Sequence, residues 1–171
     1  IIISVHNGSE FWIIDHSTTL AESADSIGGT YGKGGDILYR WGNPQAYNQG
    51  GPSDQKLFLQ HHTHWIPENL VDAGKILLFN NQVESPPNPY STVNIVELPV
   101  DADGYYTYNG GAFGPENFDW TYQAPVPTDF YSNFISGVQR LENGNTLICE
   151  GVSGRYFEID SNQNIVWEYV N

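Results

Sequence analysis

The chain has 171 residues and a formal net charge of −14, with 20 Asp and Glu against only 6 Lys and Arg. Nucleic acid and anionic membrane surfaces both need clustered cations, so charge excludes them as partners. No apolar run approaches the ~18–20 residues of a membrane span, no signal peptide is visible, and Cys149 stands alone, which rules out a disulfide within the chain.

The 5 Trp, 11 Tyr and 8 Phe beside 18 Gly and 10 Pro favour short aromatic strands with frequent turns. No long segment repeats apolar residues at helical spacing. The first expected strands run from Ile2 to Asn7, from Phe11 to Asp15 and from Asp36 to Trp41. A second group follows: Leu57 to Ile66, Lys75 to Asn80, Thr92 to Leu98 and Asn117 to Tyr122. The third group is Phe134 to Leu141, Thr146 to Gly151, Arg155 to Asp160 and Asn164 to Tyr169. Each group ends in an aromatic-x-aromatic strand: Tyr39-Arg40-Trp41, Trp120-Thr121-Tyr122 and Trp167-Glu168-Tyr169. Asn143-Gly144, between two apolar runs, marks a hairpin, because Asn and Gly tolerate positive φ.

A repeated unit of four antiparallel strands is the pattern of β-propeller blades. The chain therefore reads as all-β, one partial propeller domain over 1–171 with about three four-stranded blades at about 1–43, 56–122 and 128–171. The first unit lacks its innermost strand, and a strand-like opening without Met places the native N-terminus elsewhere. Rings use about 4–8 blades, so further sequence or a second chain supplies the rest. A β-sandwich competes, but it leaves the recurring aromatic fourth strand unexplained.

Three stretches carry a family likeness. One is Gly35-Asp36-Ile37-Leu38-Tyr39-Arg40-Trp41-Gly42-Asn43. Another is Gln60-His61-His62 with Trp65-Ile66-Pro67 and Ile76 to Asn81. The last runs from Gln139 to Ile148, with Gly154-Arg155 and the closing strand Ile165 to Tyr169. Together they resemble the arylsulfotransferase propeller family over nearly the whole chain. The resemblance implies a ring of about six blades with a site in its central funnel. It implies transfer of a sulfuryl group from a phenolic sulfate ester to another phenol through a transiently sulfated histidine. Neither a nucleotide sulfate donor nor another cofactor is implied, and the location is extracytoplasmic, periplasmic or secreted. Where the family often has Gln-His-Asp this chain has Gln60-His61-His62, and His6-Asn7 stands where Arg-Asn is common.

On the repeat, His61 lies on an innermost strand, where a side chain reaches a central channel. It is the first catalytic candidate, as nucleophile or as donor to sulfate oxygens, against a structural histidine of the channel wall. Simple alternation turns His62 and His64 to the opposite side, which argues against a three-histidine metal centre. His6 ends the second strand of its unit and is the second catalytic candidate. The repeat aligns it with Asn80 and Glu150, a possible polar mouth for substrate; ordinary strand-end hydrogen bonding competes. Arg155, after Ser153-Gly154, is a candidate anion contact, whereas Arg40 and Arg140 suit pairing with carboxylates. His16 suits a solvated loop. Asp101-Ala102-Asp103-Gly104 begins like a calcium loop but lacks the bidentate Glu at its end, so a turn fits as well. Loops 16–35 and 81–91 belong on a propeller face, Asn7-Gly8-Ser9 is a glycan acceptor motif, and Cys149 reads as a buried inert thiol. Two functions follow: an arylsulfotransferase-like enzyme acting on aryl sulfates and phenols, or a non-catalytic extracellular propeller for binding or assembly.

Overall fold

A computed structural model describes residues 1–83 and 87–171, so the middle of the expected loop 81–91 lies outside the described residues. The architecture is all-β, with eleven strands in three antiparallel sheets and no α-helix among the described residues. The first sheet contains β1 (Ile2–Val5), β2 (Glu10–Ile14) and β3 (Ile37–Trp41). The second contains β4 (His61–Trp65), β5 (Ile76–Asn80), β6 (Thr92–Val96) and β7 (Trp120–Tyr122). The third contains β8 (Ser136–Arg140), β9 (Thr146–Glu150), β10 (Arg155–Ile159) and β11 (Ile165–Val170). Each sheet is a meander whose strands lie side by side in chain order.

Register aligns the three sheets with one another. Val5 opposes Glu10, Asn80 opposes Thr92 and Glu150 opposes Arg155. Counting inward from these pairs, Ile13 opposes Tyr39, Ile95 opposes Trp120 and Glu158 opposes Trp167. Tyr39, Trp120 and Trp167 therefore hold one position in three sheets. The first and third sheets also carry a bulge at the same place, between Ile13 and Ile14 and between Glu158 and Ile159.

Two apolar layers hold the sheets together. Phe11, Ile13, Tyr39 and Trp41 of the first sheet meet Ile76, Leu78 and Val96 of the second. Leu77, Phe79, Val93 and Ile95 of the second meet Val138, Ile148, Phe157 and Ile159 of the third. Both faces of the second sheet are covered, which is why β5 and β6 are buried at every position. Among the described residues nothing covers the outer face of the third sheet, where Tyr156, Trp167 and Tyr169 stand exposed, and its edge strand β11 is exposed at every position.

The first strands of the sheets adjoin: β4 lies beside both β1 and β8, and β5 lies beside β8. The relation of β1 to β4 repeats that of β5 to β8, which makes β1 a second strand. The place filled by β4 and β8 in their own sheets has no strand in the first sheet among the described residues. Several expected strands are shorter than their sequence bounds, among them Asn117 to Tyr122, of which only Trp120–Tyr122 is strand, and Leu57 to Ile66, of which only His61–Trp65 is. The segment from Leu57 to Gln60 crosses between sheets instead of extending β4, because its backbone is committed elsewhere. The Gly42 carbonyl accepts the N–H groups of Lys56 and Leu57, and Leu59 has φ of 55°.

Candidate functional site

Two histidines from neighbouring sheets meet at one end of the sheet junction. His6 follows β1 in a short 3-10 turn, His6–Gly8, closed by the Ser9 N–H bonding the His6 carbonyl at 3.0 Å. His61 opens β4. Their ring centroids lie 4.5 Å apart with the planes tilted by 58°. His6 Nδ1 lies 3.3 Å from the Gln60 carbonyl oxygen, and His61 Nδ1 lies 2.9 Å from Asn81 Oδ1. Gln60 is fully buried between the sheets, where its Nε2 donates to the Glu10 carbonyl at 2.6 Å and to Ser4 Oγ at 3.3 Å. Its Oε1 has no hydrogen-bond partner among the described residues.

A β-bulge corrects the alternation expected for the histidine run. His61 opposes Phe79 and His64 opposes Leu77, so one extra residue sits between them. The bulge places His61 and His64 opposite neighbouring residues of one face, where plain alternation separates them. His62, at the bulge, has φ of 51°. It stretches to the third sheet, where its Nδ1 accepts the Val138 N–H at 3.0 Å. Partial burial, and secondarily the nearby His64, hold the His62 pKa below the ordinary imidazole value. The rings of His62 and His64 form a second pair, also 4.5 Å apart.

The equivalence of His6 with Asn80 and Glu150 is offset by one residue. Register makes Val5 the counterpart of Asn80 and Glu150, so the counterpart of His6 is Asn81. A shift of one residue reverses the side a strand residue faces. Asn80 turns to the 56–58 crossing, where it accepts the Phe58 N–H at 2.7 Å and donates to the Lys56 carbonyl at 2.9 Å. Glu150 is buried, accepting the Tyr131 N–H at 3.2 Å and Arg155 Nη1 at 3.3 Å. Arg155 also bonds Glu168, so two carboxylates occupy its guanidinium. Arg40 is paired with Glu10 and Arg140 with Asp72. The fold thus joins His6 to His61 and leaves Asn80, Glu150 and Arg155 in bonds of their own.

Asn81 was missed by sequence reasoning, although it stands beside Asn80 at the end of an apolar strand. It is fully buried, and its Nδ2 donates to the Ser132 carbonyl at 2.7 Å and the Phe134 carbonyl at 3.3 Å. A hollow of about 260 Å³ lined by Ser9, Gln55, Phe58, Leu59 and Gln82 is built from the same three segments that carry His6, His61 and Asn81. A larger one of about 340 Å³ lies beside Trp41, between the 42–56 crossing and residues 112–116, and none of the candidate site residues lines it. No imidazole lines the hollow of about 260 Å³ either; the hollow that a histidine does line, of about 200 Å³, is formed by His62 with Val138, Cys149 and Tyr156 of the third sheet.

Among the described residues no group of three or more His, Cys, Asp or Glu is arranged to hold a metal. Asp101 Oδ1 instead accepts the N–H groups of Asp103 and Tyr105, the bonding of a turn. Among the described residues no helix is long and apolar enough to cross a membrane. No family model matches the chain, and no curated protein matches it.

Proposed function

We propose that the chain is part of a β-propeller of the arylsulfotransferase type, and that His61 and His6 form the histidine side of its sulfuryl-transfer site. The contact of two imidazoles from adjacent sheets, 4.5 Å between ring centroids, carries this reading. Strand-order meanders with regularly repeated faces support the propeller, and the likeness of the Gln60-His61 and Gln139 to Ile148 stretches supports the lineage. In the reaction, a bare imidazole nitrogen of His61 forms a bond to sulfur as the aryl ester S–O bond breaks. The phenolate leaves and takes a proton, with His6 as the nearby donor. A second phenol then attacks the sulfuryl group, loses its proton and restores His61. Arg40, Arg140 and Arg155 are each ion-paired, so the sulfate oxygens are held by a cation other than these three arginines. The enzyme works outside the cytoplasm, on small phenolic compounds.

The second reading is a non-catalytic propeller that serves assembly. It is favoured by the exposed aromatic face of Tyr156, Trp167 and Tyr169. The deciding experiment measures turnover of an aryl sulfate with a phenol acceptor by the full-length protein. His61→Ala is expected to lower turnover at least ~100-fold, the usual scale for a positioned nucleophile or acid–base group, and His62→Ala to lower it far less. Equal effects of the two substitutions, or no turnover by the full-length protein, would defeat the catalytic reading.

A further inference from the structure

We infer that Asn81 is a positioning residue that fixes the tautomer of His61, with the proton on Nδ1 and the lone pair on Nε2. The argument starts at the far end of the amide. Asn81 Nδ2 lies 2.7 Å from the Ser132 carbonyl oxygen and 3.3 Å from that of Phe134. Carbonyl oxygens only accept, so the NH₂ group must occupy that end. The reverse orientation would press an amide oxygen against two carbonyl oxygens at a fully buried site. Asn81 Oδ1 is therefore the atom that faces His61 Nδ1 at 2.9 Å. It too can only accept, so His61 Nδ1 donates. In a neutral imidazole the other nitrogen is then bare. Ser136 Oγ sits against the same amide, accepting from Asn81 Nδ2 at 3.0 Å and lying 3.2 Å from Asn81 Oδ1.

The next residue in the chain has the opposite arrangement. His62 Nδ1 accepts the Val138 N–H, which leaves its proton on Nε2. The nucleophilic nitrogen of His61 is Nε2, whereas the bare nitrogen of His62 is already occupied by a backbone amide. Adjacent histidines of one strand are thus made unlike by two partners, the Asn81 side chain and the β8 backbone. The role of Asn81 in chemistry rests on the sulfuryl-transfer reading, but the tautomer does not.

The test is nitrogen-15 NMR of the histidine-labelled protein at about pH 8, where an ordinary imidazole is neutral. His61 should show a protonated Nδ1 and a bare Nε2, and His62 the reverse. In Asn81→Ala the ratio of Nδ1–H to Nε2–H forms of His61 should fall about tenfold, the worth of one hydrogen bond, while His62 keeps its pattern. A wild-type His61 with its proton on Nε2 overturns the inference, and that spectrum decides even where the variant fails to fold. An unchanged His61 ratio in folded Asn81→Ala also overturns it. If the tautomers are as expected but the full-length protein has no aryl sulfate turnover, the sulfuryl-transfer reading fails and the positioning by Asn81 stands.

Discussion

Phe130 joins the second and third sheets, and its removal gives a measurable test of how they are held. The side chain is fully buried. Its ring lies 5.2 Å from Phe79, 5.6 Å from Tyr122 and 5.6 Å from Phe157, centroid to centroid. Phe→Ala in a core costs about 3–5 kcal/mol, and three aromatic neighbours place this site near the upper end, about 4 kcal/mol. For a domain of this size the urea slope is roughly 2 kcal/mol per molar, so the unfolding midpoint of Phe130→Ala should fall by about 2 M. Tryptophan fluorescence against urea measures it. A double-mutant cycle with Phe157→Leu should show a coupling of about 0.5–1.5 kcal/mol, whereas one with Phe11→Leu, in the other apolar layer, should be additive. A midpoint shift below about 0.5 M, or equal coupling to both partners, would refute the assignment of Phe130 to the junction of these two sheets.

Two glycines with positive φ should behave very differently on substitution by alanine. At Gly42, φ +126°, a Cβ would meet the Ser9 carbonyl oxygen at 2.6 Å and Leu57 Cδ1 at 2.7 Å. Gly42→Ala should cost upward of about 3 kcal/mol in denaturant melts. At Gly32, φ +69°, nothing among the described residues lies within 4 Å of that position, and Gly32→Ala should cost only about 1 kcal/mol. Stability should also depend on His62 at mildly acid pH. Its folded pKa is depressed, chiefly by burial, so the unfolded chain binds the proton more readily. That contribution is complete above the ordinary imidazole pKa of about 6.5 and is lost as pH falls below it. His62→Gln should flatten thermal stability over this range. An equally steep fall in that variant would assign the acid sensitivity to other groups.

The aromatic strand endings were legible because a cross-strand position is a local property. Tyr39, Trp120 and Trp167 recur in the sequence and share one register position opposite β2, β6 and β10. The hairpin at Asn143-Gly144 was legible for the same reason: Gly144 adopts φ of 84°, and Leu141 and Asn145 close the turn. What escaped were features set by long-range bonds. The bulge at His62 depends on Val138, a residue 76 positions away. The start of β4 depends on the Gly42 carbonyl, which draws off the backbone of Lys56 and Leu57. The offset that hid Asn81 is a single residue, too small for strand patterning to resolve where β5 is apolar at every position but its last.

The atoms that orient the candidate histidines also fasten one sheet to the next. Gln60 binds the first sheet through the Glu10 carbonyl while its own carbonyl faces His6. Asn81 binds the segment leading into the third sheet while its oxygen faces His61. Reactivity and rigidity here share the same parts, so mutational drift at either residue would loosen a seam and misalign a ring in one step. Laboratory evolution of the histidine pair would then find its compensating changes along the seams, at positions such as Ser4, Ser132 and Ser136, sooner than in the apolar layers.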